Sequence, residues 1–146
     1  MVSQQSGLEL QQQHDGFTLI FQNRVLLKHS SESPCLWIGH GKADIDMFRG
    51  NFSIKDRLGE KLALIDAEIS STAAGFDIRF SRGDVAQATL NVAIDAHDRL
   101  EMKLSNADSE NNRMWLRLAA EPQDHIYGCG EQFSYFDLRG KPFPLW

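Results

Sequence analysis

Cysteine is scarce in this chain: Cys35 and Cys129 are the only two among 146 residues. So few thiols cannot staple a small core, and both are read as free rather than paired. The first residues, Met1-Val-Ser-Gln-Gln-Ser-Gly7, lack the charged and then apolar pattern of a secretory leader. A cytoplasmic location is therefore expected. No apolar run approaches the ~20 residues of a membrane-spanning helix, so no membrane partner is expected. Basic residues are outnumbered, 15 against 20 acidic, for a net charge of −5 with no basic cluster. That balance argues against nucleic acid, which needs a positive footprint. Apolar content, at 42%, is ordinary and far from the disordered range. A chain of this length folds as one domain and buries roughly 68–70% of its unfolded surface.

What is present is alternation. Phe17, Leu19 and Phe21 share one strand face, as do Phe76, Ile78 and Phe80, then Leu90, Val92 and Ile94. Leu100, Met102 and Leu104 form another row, and Met114, Leu116 and Leu118 a last one. All of these rows are expected to face the core. Asp15-Gly16 and Asn23-Arg24 mark tight turns between strands. Cys35–Ile38 reads as a short strand ending at Gly39-His40-Gly41, with a second alternating run at 43–48 and a third from Phe52 to Ile54. Lys55–Lys61 reads as a solvated charged turn. Leu62–Ser70 fits a helix face or a strand, and strand is preferred because turns flank it. Residues 1–7 are polar and expected to fray. Strands every eight to twelve residues make the expected fold all-β, an antiparallel β-sandwich.

The last stretch, Ile126 to Trp146, is different in kind. Gly128 and Gly130 bracket Cys129, Glu131 follows, and Phe133, Tyr135, Phe136, Phe143 and Trp146 crowd a segment without period. Gly140, Pro142 and Pro144 forbid a helix and interrupt a ladder. Such a segment needs a second surface to lie against. Glu131 is the best functional candidate here; the plainer reading is that its carboxylate takes backbone N–H groups and fastens the loop.

Other constellations carry less. Cys35-x4-His40 and His125-x3-Cys129 superficially offer two cysteines and two histidines, but the spacing is loose for a zinc site, and no metal or cofactor is expected. Asp44 and Asp46 share a strand face at a separation near that of glycosidase carboxylates. Exposed on one strand, they have no pocket to raise either acid, and they are read as edge protection. Gly39-x-Gly41 lacks the third glycine and the βαβ setting of a dinucleotide loop. There is no serine nucleophile elbow. No residue of the chain is assigned as catalytic.

Tyr127-Gly-Cys-Gly-Glu-Gln-Phe133, followed by Asp137-Leu-Arg-Gly140, resembles the Y-G-x-G-E signature and succeeding loop of glycoside hydrolase family 31. The wording from Cys129 to Trp146 is most like the bacterial sulfoquinovosidase branch of that family. Similarity runs from about Phe17 to Trp146 and is strongest over Pro34–Asp56 and Arg113–Trp146. The resemblance implies a sandwich of the galactose-mutarotase-like (supersandwich) type over residues 17–128. Residues 1–16 would be a polar segment with room for a first edge strand, and 129–146 an aromatic loop leading to a (β/α)8 catalytic barrel. That barrel, in the same chain, would be the domain's partner and would hold both catalytic aspartates. The carbohydrate substrate implied is an α-sulfoquinovoside or another α-glucoside. Glu131, Gln132, Phe133, Tyr135, Arg139 and Trp146 would wall the active site, with Arg139 available to an anionic group. Two other readings stand beside this one: a self-standing carbohydrate-binding module, and a mutarotase-like epimerase using His125 and Glu131.

Overall fold

The computed structural model describes residues 2–5, 7–105, 110–127 and 137–141, with backbone alone for 2–5 and for Phe52. Eleven strands and no helix occur among the described residues, numbered in chain order. The first sheet is a meander of β1 (Val2–Gln5), β2 (Leu8–Gln12), β3 (Gly16–Phe21) and β4 (Arg24–Ser30). A second sheet pairs β5 (Leu36–Phe48) with β6 (Asn51–Ala63) on one side and β11 (Arg113–Leu116) on the other. The third is a meander of β7 (Asp66–Ser71), β8 (Gly75–Arg82), β9 (Ala86–Ile94) and β10 (Leu100–Ser105). Every named strand pair is antiparallel. The all-β expectation holds.

One core is fed by all three sheets. Phe17, Leu19 and Leu27 meet Leu36, Ile38 and Leu64, and then Phe76, Ile78, Phe80, Leu90 and Val92, all buried. Phe21, Ile94, Leu100, Met102, Leu104 and Leu116 pack partly buried around it. Their period-two spacing put them there: one face of a pleated strand sheds its apolar area into the sandwich and the other meets water. Leu8 and Leu10 join the same core, and Val2–Gln5, expected to fray, pair with β2 as the edge strand of the first sheet.

Turn chemistry explains the hairpins. Gln22 and Asn23 both take positive φ (48° and 64°), the type I′ geometry that matches strand twist. The tight turn thus sits one residue earlier than Asn23-Arg24. Arg49 and Gly50 repeat the arrangement at φ 49° and 80°. Gly16 has another purpose. A Cβ there would stand 1.9 Å from the His29 carbonyl oxygen, so only glycine lets β3 start against β4.

Several expectations need correction. Met114 and Leu118 are 49% and 53% exposed, not core. Met114 lies in register with buried Ile38, so its face was read correctly. β11 is an edge strand, however, and its rim side is not covered by described residues. Leu118 falls beyond the strand. Lys55–Lys61 is not a turn but the middle of β6, since solvated charges are compatible with a ladder whose other face is open. Leu62–Ser70 is two strands in two sheets, broken at Leu64-Ile65. Leu64 turns that corner with its side chain fully buried and its N–H bonded to Leu36 O at 3.1 Å. The strand from Leu36 does not stop at Gly39-His40-Gly41; it runs through with a bulge there and continues to Phe48.

His29 occupies the centre of the sandwich at 3% exposure, stacked on Phe17 and edge-on to Phe80. Its Nδ1 accepts the Cys35 N–H at 3.3 Å, which leaves Nε2–H to donate to Ile65 O at 3.2 Å. Burial lowers its pKa, so the ring is held neutral. On the outward face of the second sheet, Trp37 stands opposite Trp115. Lys61 lies over both rings and Arg117 over Trp37. No described helix is long and apolar enough to cross a membrane.

Candidate functional site

After β11 the chain is tacked to the sandwich twice. Arg117 N–H donates to Cys35 O at 2.8 Å and Ala119 N–H to Leu26 O at 2.7 Å. Glu121-Pro-Gln-Asp124 then forms a turn, with proline at the position that its fixed φ suits. Asp124 N–H reaches Glu121 O at 3.0 Å, and the Asp124 carboxylate takes the Glu121 N–H at 2.8 Å and an ion pair from Arg24 of β4. Together with these bonds, burial of the connection is not needed to fix its path.

Residues 137–141 return onto this turn. Asp137 is the hub. Its Oδ2 takes Nδ1–H of His125 at 2.6 Å, and its Oδ1 takes the N–H groups of Ile126 and Arg139, each at 3.1 Å. The imidazole contact, then the two N–H groups, hold the Asp137 pKa down at about 2. Leu138 N–H donates to Ile126 O at 2.8 Å, and the Leu138 side chain is buried. Gly140 closes the return at φ 65°, with Lys141 N–H on Leu138 O. The result is a clasp: residues 121–127 and 137–141 are joined side by side.

Of the residues expected to wall a site, Glu131, Gln132, Phe133, Tyr135 and Trp146 lie outside the described residues. Arg139 is described. Its Nη1 donates to Glu121 O at 3.0 Å and Asp124 O at 2.7 Å, so this nitrogen staples the turn. His125, the other half of the epimerase reading, uses Nδ1 on Asp137 and stacks on Tyr127. Cys35 is buried, its thiol pushed up to about 11, with Sγ 3.7 Å from His29 Nδ1. His40 instead points Nδ1 at Glu110 O, 2.8 Å away. Cys129 is outside the described residues, and no group of three or more metal-ligating side chains forms among those described. Asp44 is ion-paired with Arg57 on an exposed strand pair. Sequence reasoning missed Asp137 and Asp124. The signals were there: Glu-Pro-x-Asp is turn chemistry, and Asp-x-Arg offers a side-chain oxygen to the N–H two residues on.

The family model described as the glycosyl hydrolase 31 N-terminal galactose mutarotase-like domain matches residues 43–146. The chain belongs to this family. As a glycosyl hydrolase 31 N-terminal domain it is similar to named enzymes over nearly all its length. It is 63% identical over 138 residues to a sulfoquinovosidase of Escherichia coli (strain K12), covering 94% of this chain and 20% of that protein. It is 41% identical over 132 residues to a sulfoquinovosidase of Agrobacterium fabrum, covering 90% of this chain and 19% of the other. Among solved structures, a glycoside hydrolase 31 sulfoquinovosidase from E. rectale, bound to an aza-sugar inhibitor, superimposes with a TM-score of 0.75 at 34% identity. That match covers 94% of this chain and 20% of the solved one. The domain thus spans about a fifth of the length of these relatives.

Proposed function

We propose that this domain is the non-catalytic N-terminal sandwich of a retaining α-glycoside hydrolase that cleaves α-sulfoquinovosides such as sulfoquinovosyl glycerol. The likeness to proteins named sulfoquinovosidase, at 63% and 41% identity, supports the substrate class. The catalytic pair, an aspartate nucleophile and an aspartate acid/base, would lie in the part of the relatives' length that this chain does not span. The domain's share is to pack on that catalytic barrel and to supply one wall of the sugar site. The observation that carries this share is the Asp137 clasp. It fixes both stems of the loop containing Glu131, Gln132, Phe133 and Tyr135, so the loop is presented from a rigid neck. Rigid presentation is what a wall residue requires, because a group held ~1 Å off can lose about a hundredfold in rate. The free thiol of Cys35 supports a cytoplasmic setting.

The test is kinetic. The full-length polypeptide is assayed on 4-nitrophenyl α-sulfoquinovoside and on 4-nitrophenyl α-glucoside, with the first product followed by proton NMR. Preference for the sulfonated sugar, released first as the α-anomer, is expected. Equal turnover of both substrates, or initial release of the β-anomer, would sink the reading.

A further inference from the structure

Beyond the bulge at His40/Gly41, no third strand among the described residues pairs with β5 and β6 up to the Arg49-Gly50 turn, because β11 reaches no further than Gly39 and only the Asn112 side chain extends its cover, to Gly41. This outer ribbon is amphipathic. Register places Ala43, Ile45, Met47, Ile54 and Leu58 on one face and Lys42, Asp44, Asp46, Lys55 and Arg57 on the other, where Phe48 lies at the tip under the Arg49 guanidinium. Ile45 is 66% exposed and Met47 72%. The charged residue in register with the apolar face, Asp56, is neutralised by Arg113, which donates from Nε at 3.0 Å and Nη2 at 2.8 Å. Across the ribbon, Arg57 pairs with Asp44. We propose that this apolar face docks on the catalytic domain of the same polypeptide, an inference that rests on the glycoside hydrolase reading above.

Two strands alone are marginal in water, so an exposed aliphatic ribbon calls for cover on its apolar side. Its edges are not the offered surface. Charges along both strands discourage addition of a further strand. A sugar is a poor occupant as well, since the face presents branched aliphatics and a thioether rather than rings flanked by hydrogen-bonding groups.

Size then chooses between a second copy and the same chain. The face is eight residues long and two strands wide, about 27 Å by about 10 Å, or roughly 270 Å². Two copies face to face would bury roughly 540 Å², well short of the about 1,200 Å² at the lower end of stable complexes. A surface on the same polypeptide meets the ribbon at an effective concentration on the order of millimolar, where so small a contact is enough. About four-fifths of the first relative's length lies outside the part that this chain matches, since the chain covers 20% of it.

Two measurements on the full-length polypeptide test this. Met47 is more exposed than Met114, 72% against 49%, so within this domain alone peroxide should oxidise Met47 first. Docking reverses the order: Met47 sulfoxide should form more slowly than Met114 sulfoxide. Oxidation of Met47 as fast as Met114, or faster, would overturn the proposal. In the second, p-benzoylphenylalanine replaces Ile45 and is photoactivated. A cross-link to a peptide of the same polypeptide outside this domain is expected; a link between two polypeptides, or none to protein, overturns it. Hydrolysis of 4-nitrophenyl α-sulfoquinovoside is followed on the same samples. Slow Met47 oxidation without hydrolysis would remove the enzymatic reading and leave the docking; hydrolysis with fast Met47 oxidation would do the reverse.

Discussion

His125 and Asp137, twelve residues apart, meet through an Nδ1–H to Oδ2 bond of 2.6 Å that joins residues 121–127 to residues 137–141. The same carboxylate takes two backbone N–H groups, one from each stem. The approach of the two stems therefore depends on one side chain that lies outside the segment between them.

Asp137→Asn keeps the shape but weakens all three bonds, and Asp137→Ala removes them. In the full-length polypeptide, kcat/KM on an α-sulfoquinovoside should fall by about tenfold for the first and toward a hundredfold for the second, as expected for a site held ~1 Å off. At neutral pH the thermal midpoint should fall only modestly, by the share of the carboxylate alone, because the clasp is exposed and outside the core. Wild-type kinetics for Asp137→Ala would dissociate the clasp from the wall.

The same carboxylate sets an acid limit. Its pKa of about 2 lies below the ordinary 3.8, so its contribution is complete above the unfolded value and is lost as pH falls through the folded one. The pH dependence of stability should thus carry a slope from about 3.8 down to about 2 that Asp137→Asn lacks. Parallel curves for the two proteins would contradict the assignment.

His29 acts at higher pH. Its pKa is lowered by burial, so the neutral ring stabilises the fold fully above the unfolded value of 6.5, and that share is lost as pH falls through the folded one. Protonation also puts a proton on Nδ1, where the Cys35 N–H must find an acceptor. The thermal midpoint should drop between pH 7.5 and pH 5. His29→Phe should flatten that drop while costing ~1–3 kcal/mol, because Cys35 N–H is left buried without its partner. A midpoint independent of pH in the wild type would refute this.

Packing contrasts give a further check. Phe80→Ala, in the centre of the core, should cost ~3–5 kcal/mol by urea denaturation. Met114→Ala, on the rim, should stay within about 0.5 kcal/mol. A large loss at Met114 would show that its face is covered after all.

Glycine supplies another. Gly75→Ala would place a Cβ 2.0 Å from Val92 O, and Gly39→Ala one 2.3 Å from Glu60 O. Backbone must shift in both cases, and losses of about 2–3 kcal/mol are expected from denaturation midpoints. Gly50→Ala meets no atom within 4 Å, but its φ of 80° is strained for alanine, so a smaller loss of about 1 kcal/mol is expected.

By itself the sequence determined the all-β class and the central rows at 17–19, 76–80 and 90–92. Alternation with period two is a local property: a pleated strand can bury only every second side chain, so the pattern names its own face. The match of Tyr127–Gly140 to a family signature was likewise local. Tertiary structure decided the rest. Whether Met114 is covered depends on what lies beyond an edge strand. Whether Lys55–Lys61 turns or extends depends on partners in β5, as far away as Gly39 is from Lys61. Whether Leu62–Ser70 is one strand or two depends on Leu64 finding the carbonyl of Leu36 at the start of the neighbouring strand. Asp137 became the fastener, rather than only the next acid after Glu131, because the turn at Glu121–Asp124 brings His125 and the Ile126 N–H to it. Those partners are fixed by chain path, and no period or composition of the segment itself encodes a chain path.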